Sequence, residues 1–262
     1  MTVTKSDKAT AIVGTAPNYR SHIEPGTRGN EAERQGRSVT LDFHLLSRNL
    51  IVSFDKTDRN TSHYDILRTK ILRKMSVNGW KKIAITSPRA GAGKTVTAIN
   101  LAFGVAQTVT NSAIAIDLDL RRPSFGRYLG LDTVNPSLSD FISGGATLDD
   151  VTLKPDFPRL NFVINNQPIQ NASECLGSEE VIELVTRFDD PTSNMISIID
   201  LPPLLEVDDA LVVMPHVDCV LLVISAGQST PSELLECQRL LEDYNLVGTV
   251  LNRSNTNHND YY

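Results

Sequence analysis

The sequence predicts an α/β protein with a doubly wound, mainly parallel sheet. Three observations predict it. Six short apolar runs, at 83–86, 113–119, 161–164, 196–200, 220–224 and 247–252, are mostly continuous rather than alternating. Strands buried on both faces read that way. Helical patterns at Thr95–Gln107, Ser178–Phe188, Asp208–Met214 and Pro231–Tyr244 lie between runs, so strands and helices alternate. A glycine-rich turn joins the first run to the first of these helices, at the strand end where such sheets bind ligands.

Taken in order, residues 1–45 are mixed in charge, rich in Gly, Pro, Ser, Thr and Asn, and without helical or strand period, so they read as a flexible tail. Asn49–Phe54 reads as a short strand or extended strap. Thr61–Met75 reads as a helix capped by Thr61 or Ser62, with Leu67, Ile71, Leu72 and Met75 on one face. A single P-loop domain is expected over 46–255, followed by a short tail over 256–262. The hydrophobic share of 40% in 262 residues suits one core plus an uncored polar segment.

The formal net charge of −6 argues against broad binding to nucleic acid or to an anionic membrane. The cysteines are Cys175, Cys219 and Cys237, with no C-x-x-C pair. They read as small core residues in a reducing, cytoplasmic setting. The N-terminus lacks the apolar run of a signal peptide, and no stretch reaches the roughly 20 residues of a membrane span.

The chemistry concentrates at three strand ends. After the first strand comes Ala90-Gly91-Ala92-Gly93-Lys94-Thr95-Val96, the core of a Walker A loop. Glycines let the backbone approach phosphate oxygens, and successive N–H groups with a helix N-terminus attract the anion. Lys94 supplies a point charge to the phosphates, and Thr95 offers its hydroxyl to Mg²⁺. The full pattern asks for Gly at 88, where this chain has Pro88.

The second strand ends in Asp117-Leu118-Asp119, with two carboxylates that an extended strand would point the same way. They could bind Mg²⁺ and position the attacking group. Arg121 and Arg122 follow, and the sequence leaves open whether they meet phosphate, a neighbour or these carboxylates. The fourth strand ends in Asp200 before Pro202 and Pro203, as a Walker B carboxylate does. Asn252, at the last strand's end, has the donor and acceptor to read a base edge.

Together, ITSPRAGAGKT, AIAIDLDLRRPSFGRYLGL, NASECLGSEE, IIDLPPLLEVDDALVVMPHVDCVLLVISAG and VGTVLNRSN resemble the cytoplasmic kinase domain of bacterial tyrosine kinases, the autokinases of exopolysaccharide and capsule export. That family belongs to the deviant Walker A P-loop ATPases. The resemblance runs from about Ser62 to Arg253. It implies that Lys94 and Thr95 hold ATP and Mg²⁺, that Asp117 and Asp119 are the Walker A′ carboxylates, and that Asp200 is the Walker B one. It places Asp209 in the family's PP-x5-DA element and Asn252 and Arg253 on the adenine side. Lys94, Asp117, Asp119 and Asp200 are thus the expected catalytic residues, with Thr95, Asp117 and Asp200 at the metal. The implied partner is the cytoplasmic segment of a membrane polysaccharide co-polymerase, with the chain itself cytoplasmic or peripheral at the membrane.

Three departures stand out. The E-x-x-R of the helix that drives ring assembly in the family is replaced by Ser62 and Asp65, although Leu67, Arg68 and Thr69 match. The usual P-G-E-G-K is Ala90 to Lys94. In place of a tyrosine-rich tail stand Tyr261 and Tyr262, candidate phosphoacceptors that follow Asp260. A homo-oligomer is therefore an open expectation. The rival reading is a nucleotide-switched protein of the partitioning type or a scaffold. The partitioning type would carry a lysine where Arg89 stands and often a basic C-terminal helix.

Overall fold

A computed structural model describes residues 36–188 and 193–254. Its strands are β1 (Arg37–Val39), β2 (Lys82–Thr86), β3 (Ser112–Asp117), β4 (Thr152–Pro155), β5 (Leu160–Val163), β6 (Met195–Asp200), β7 (Cys219–Ser225) and β8 (Leu246–Asn252). Its helices are α1 (Phe43–Arg48), α2 (Thr61–Asn78), α3 (Lys94–Ala106), α4 (Phe125–Leu129), α5 (Leu138–Ile142), α6 (Leu148–Val151), α7 (Ala172–Leu176), α8 (Glu179–Thr186), α9 (Asp209–Val213) and α10 (Pro231–Leu240). The strands form one sheet in the order β1-β4-β5-β3-β6-β2-β7-β8. Only the β4–β5 pairing is antiparallel.

Side-chain alternation splits the core in two. Ile83, Ile85, Ala113, Ala115, Ile196 and Ile198 face α2 and α3 in one cluster around Phe103. Ala84, Ile114, Ile116 and Ile199 face the other cluster with Val181, Leu184 and Cys237. A period of two, apolar on both faces, is why these strands read as unbroken apolar runs. The expected parallel sheet and its six strands are all present, as are the four long helical patterns, with ends shifted by a few residues. The last pattern stops at Leu240, and Leu241–Tyr244 form a turn.

Several expectations are corrected. Residues 36–45, read as tail, hold β1 and the start of α1. Strand β1 is only three residues long and half exposed, so it has no apolar run to betray it, and it exists by pairing with β4. The N-cap of α2 is Asn60, because Thr61 turns inward and its hydroxyl donates to the Val52 and Asp55 carbonyls. Of the two readings of Asn49–Phe54, the strap is the one present, with turns at its ends and no strand. Asn100 in α3 holds it, accepting from Val52 N at 2.8 Å and Ser53 N at 2.9 Å and donating to Leu50 O at 2.9 Å. Tyr261 and Tyr262 lie outside the described residues. No described helix is long and apolar enough to cross a membrane.

Candidate nucleotide site

Parallel strands β2, β6 and β3 lie side by side and end together, which brings the three sequence motifs to one rim. Pro88 to Gly93 form the loop between β2 and α3. Gly91 (φ 81°) and Gly93 (φ 97°) adopt left-handed backbone that other residues resist. A Cβ on Gly93 would come 2.1 Å from Asn252 Nδ2, so glycine is also required for space. Helix α3 begins at Lys94 with Gly93 as N-cap and no side chain capping its first turn. Its leading N–H groups and the positive end of its dipole face the loop, an anion site made of backbone.

The loop's first half is pinned to the chain after β6. Leu201 N donates to Ile85 O, Leu204 N to Ser87 O and Leu205 N to Pro88 O, at 2.9 to 3.1 Å. One further rung uses a side chain: Ala90 N donates to Glu206 Oε1 at 2.7 Å.

Lys94 is buried among acids. Its Nζ lies 2.7 Å from Asp119 Oδ2 and 3.5 Å from Asp200 Oδ2. Burial works against its charge, but the carboxylates of Asp200 and Asp119 outweigh it, and Lys94 is held firmly protonated. Thr95 donates to Asp200 Oδ2 at 2.6 Å, and Ser124 Oγ approaches Thr95 Oγ1 at 3.3 Å. Asp200 is fully buried. Burial raises its carboxyl's pKa above the ordinary value, against the pull of Lys94 and Thr95.

Asp117 and Asp119 fall on one face, since Ile114, Ile116, Leu118 and Leu120 all pack into the other, but their oxygens meet different partners. The strand ends at Asp117, and the chain turns after Asp119, where Arg122 N donates to the Asp119 carbonyl at 3.0 Å. Asp117 Oδ2 accepts from Ser124 N at 2.8 Å and Phe125 N at 2.9 Å, so it fastens the start of α4. Burial raises its pKa as well, aided by the nearby Asp200. Asp119 instead reaches Lys94 and lines the cavity. The arginines left open by the sequence separate too. Arg121 forks onto the buried Asp209 at 2.7 and 3.0 Å, while Arg122 pairs with Glu206 at 3.2 Å. Neither guanidinium pairs with Asp117 or Asp119, although Arg122 N donates to Asp119 Oδ1 at 3.2 Å.

An open cavity of about 510 Å³ lies over the loop. Among the expected residues, Ala90, Gly91, Gly93, Lys94, Thr95, Val96, Asp119, Asn252 and Arg253 line it. Ala92 is buried beneath, where its carbonyl accepts from Asn252 Nδ2 at 2.8 Å. Sequence reasoning missed Arg48, Tyr64, Ser124, Arg127 and Tyr128, which also line it. Burial pushes the Tyr64 hydroxyl up to about 12, so it keeps its proton. Ser124, Arg127 and Tyr128 lie within the DLDLRRPSFGRYLGL stretch, whereas Arg48 and Tyr64 come from elements far from it in the chain.

The donor set fits Mg²⁺ at a nucleotide. Asp200 Oδ1 is buried and has no hydrogen-bond partner among the described residues, an atom that a cation would satisfy. The Thr95 hydroxyl lies beside it. No cluster of three or more His, Cys, Asp or Glu able to hold a metal alone occurs among the described residues. Mg²⁺ needs none, since phosphate and water complete its shell.

No family model matches the chain. Protein comparisons are more informative. EpsB of Ralstonia nicotianae is 29% identical over 222 residues, 84% of this chain but 29% of EpsB. The tyrosine-protein kinase YwqD of Bacillus subtilis is 26% identical over 219 residues, 82% of this chain and 91% of YwqD. The kinase domain of Escherichia coli tyrosine kinase ETK superposes with a TM-score of 0.67 at 28% identity, covering 81% of this chain and 84% of that one. The chain is a relative of the bacterial tyrosine kinases. The chimerical protein CapA2B2 superposes still better, with a TM-score of 0.72 at 25% identity over 84% of this chain and 93% of that one. The septum site-determining protein MinD of Pyrococcus horikoshii, complexed with Mg-ADP, shares the fold at a TM-score of 0.57 and 22% identity, over 68% of this chain and 72% of that one. The chain thus spans under a third of EpsB but most of YwqD.

Proposed function

We propose that this protein binds Mg-ATP and transfers the γ-phosphoryl group to tyrosine, as a kinase-like regulator of exopolysaccharide or capsule polymerisation. The observation that carries the proposal is the Lys94–Asp119–Asp200–Thr95 constellation at the uncapped start of α3. The sequence relationship to YwqD adds the tyrosine-kinase reading.

Each residue has a task. The amides of Gly91 to Thr95 and the Lys94 ammonium cradle the phosphates. Thr95 and Asp200 hold Mg²⁺, which when bound neutralises charge on the phosphates. Asp117, beside Asp200 in the sheet register, supports the Mg²⁺ shell and keeps the Ser124–Phe125 turn in place. Asp119 is released when Lys94 swings to phosphate. It then orients the acceptor hydroxyl and takes its proton as the hydroxyl oxygen bonds to the γ-phosphorus and the bond from that phosphorus to the β–γ bridging oxygen breaks, so that ADP leaves. Asn252 and Arg253 lie toward the base. The membrane co-polymerase segment is the proposed partner, and Tyr261 and Tyr262 are the proposed acceptors.

The test is incubation with Mg-ATP, alone and with the cytoplasmic segment of a co-polymerase encoded nearby. It is read by intact mass and anti-phosphotyrosine blot, with Lys94→Met as control. Phosphotyrosine absent from the Lys94 variant supports the kinase. Nucleotide turnover with no phosphotyrosine would sink that reading and leave a switch or scaffold.

A further inference from the structure

The nucleotide cavity has a second wall that the phosphate loop does not supply. Helices α1 and α4 build it, and it carries Arg48, Arg127 and Tyr128. The joint between the two helices is tight. Asn49, which ends α1, donates from Nδ2 to the Tyr128 carbonyl at 2.9 Å. Gly130 ends α4 with φ 72°, and a Cβ there would lie 2.5 Å from Leu45 Cδ2. The arginines therefore stand on packed helices rather than on a loose segment.

The charge balance of the cavity is uneven. Five cationic residues line it, Arg48, Lys94, Arg122, Arg127 and Arg253, against one carboxylate, Asp119. Lys94 is engaged by Asp119 and Asp200, and Arg122 by Glu206. Arg253 follows the end of β8, and its Nη1 donates to the neutral Gln228 Oε1 at 3.3 Å. Arg48 and Arg127 are exposed, and neither has a carboxylate partner among the described residues. The Arg127 guanidinium carbon lies 5.2 Å from the Tyr128 ring centroid, a contact that orients the cation without neutralising it. In a chain of net charge −6, the two arginines on these packed helices leave an anion to be supplied from outside.

We propose that Arg48 and Arg127 form an acceptor subsite that takes the side-chain carboxylate of an acidic, tyrosine-bearing peptide. The planar guanidinium fork matches a carboxylate. The inference rests on the phosphotransfer reading and names the class of acceptor that site selects. The chain itself contains such a segment, Asn259-Asp260-Tyr261-Tyr262, with an acid directly before two tyrosines. Exposed ion pairs contribute modestly, so the two arginines together should favour Asp over Asn by about fivefold in affinity, and less at high salt.

The test uses the full chain and two labelled, C-terminally amidated peptides, one carrying Asn-Asp-Tyr-Tyr and one carrying Asn-Asn-Tyr-Tyr. Anisotropy titrations are run with and without Mg-ADP. The expected result is tighter binding of the Asp peptide, with the preference falling to about one in an Arg48→Ala, Arg127→Ala double variant. Arg48→Lys and Arg127→Lys, which keep the charge, should retain part of it. Equal binding of both peptides, no binding of either, or a preference that survives the double alanine variant would overturn the subsite. Failure of the nucleotide reading shows separately, as an absence of Mg-ADP binding by the unaltered protein in a parallel titration.

Discussion

Gly93 and Asn252 meet across the phosphate loop so closely that a Cβ at 93 would fall 2.1 Å from the Asn252 amide nitrogen. The same nitrogen donates to the Ala92 carbonyl at 2.8 Å, so the last strand buttresses the loop from the side. Gly93→Ala therefore meets two obstacles, the clash and a φ of 97°. The backbone term alone should cost about 1–3 kcal/mol. Thermal melts should show the loss, and Mg-ADP should no longer raise the melting temperature. Adding Asn252→Ala removes the clash and should restore part of the stability.

Asp200 and Asp117 both have carboxyls raised by burial. A raised acid binds its proton more tightly folded than unfolded. The empty protein is thus relatively favoured at low pH and loses that advantage as pH climbs above about 4, the unfolded carboxylate value. Magnesium needs the charged forms, so the stabilisation that Mg-ADP gives should grow as pH rises. Melting temperatures from pH 5 to 8, with and without Mg-ADP, should diverge, and Asp200→Asn should flatten the difference.

Glu206 occupies the Ala90 amide and pairs with Arg122. The family pattern named above has proline at 90 and so no N–H there; this chain has a donor and an acid to meet it. Glu206→Ala should loosen the loop by about 1 kcal/mol, the usual net value of such a bond. Hydrogen exchange over residues 88–91 should accelerate. Glu206→Gln, which keeps an acceptor, should exchange close to the unaltered rate.

Asn100→Ala removes the three hydrogen bonds that tie the 50–53 strap to α3. Two buried backbone donors lose their acceptor, at about 1–3 kcal/mol each. Limited proteolysis should then cut near residue 50 before the rest of the domain.

The sheet and the phosphate loop were legible because each is local in sequence: an apolar run of four to seven residues, or a Gly-x-Gly-Lys-Thr string. What the sequence hid depends on partners brought from afar. Strand β1 reads as tail because Arg37, Ser38 and Val39 carry no apolar pattern, and only β4 makes them a strand. Asp119 reads as Asp117's twin and shares its face, yet α4 brings backbone amides to one and α3 brings Lys94 to the other. Arg121 could not be placed without Asp209, 88 residues away. The Arg48 wall was missed for the same reason, since α1 and α4 meet only in the fold.

The sheet order also fixes where the described chain is left hanging. Strand β1 is one outermost strand and β8 the other, so the two ends of the domain emerge on opposite flanks. Seven inter-strand steps separate them, about 34 Å at the usual spacing. A body meeting the domain at Arg37 and another meeting it at Asn252 would stand a sheet's width apart. The domain is laid out as a two-handled object, able to stay moored by one end while the other is worked upon.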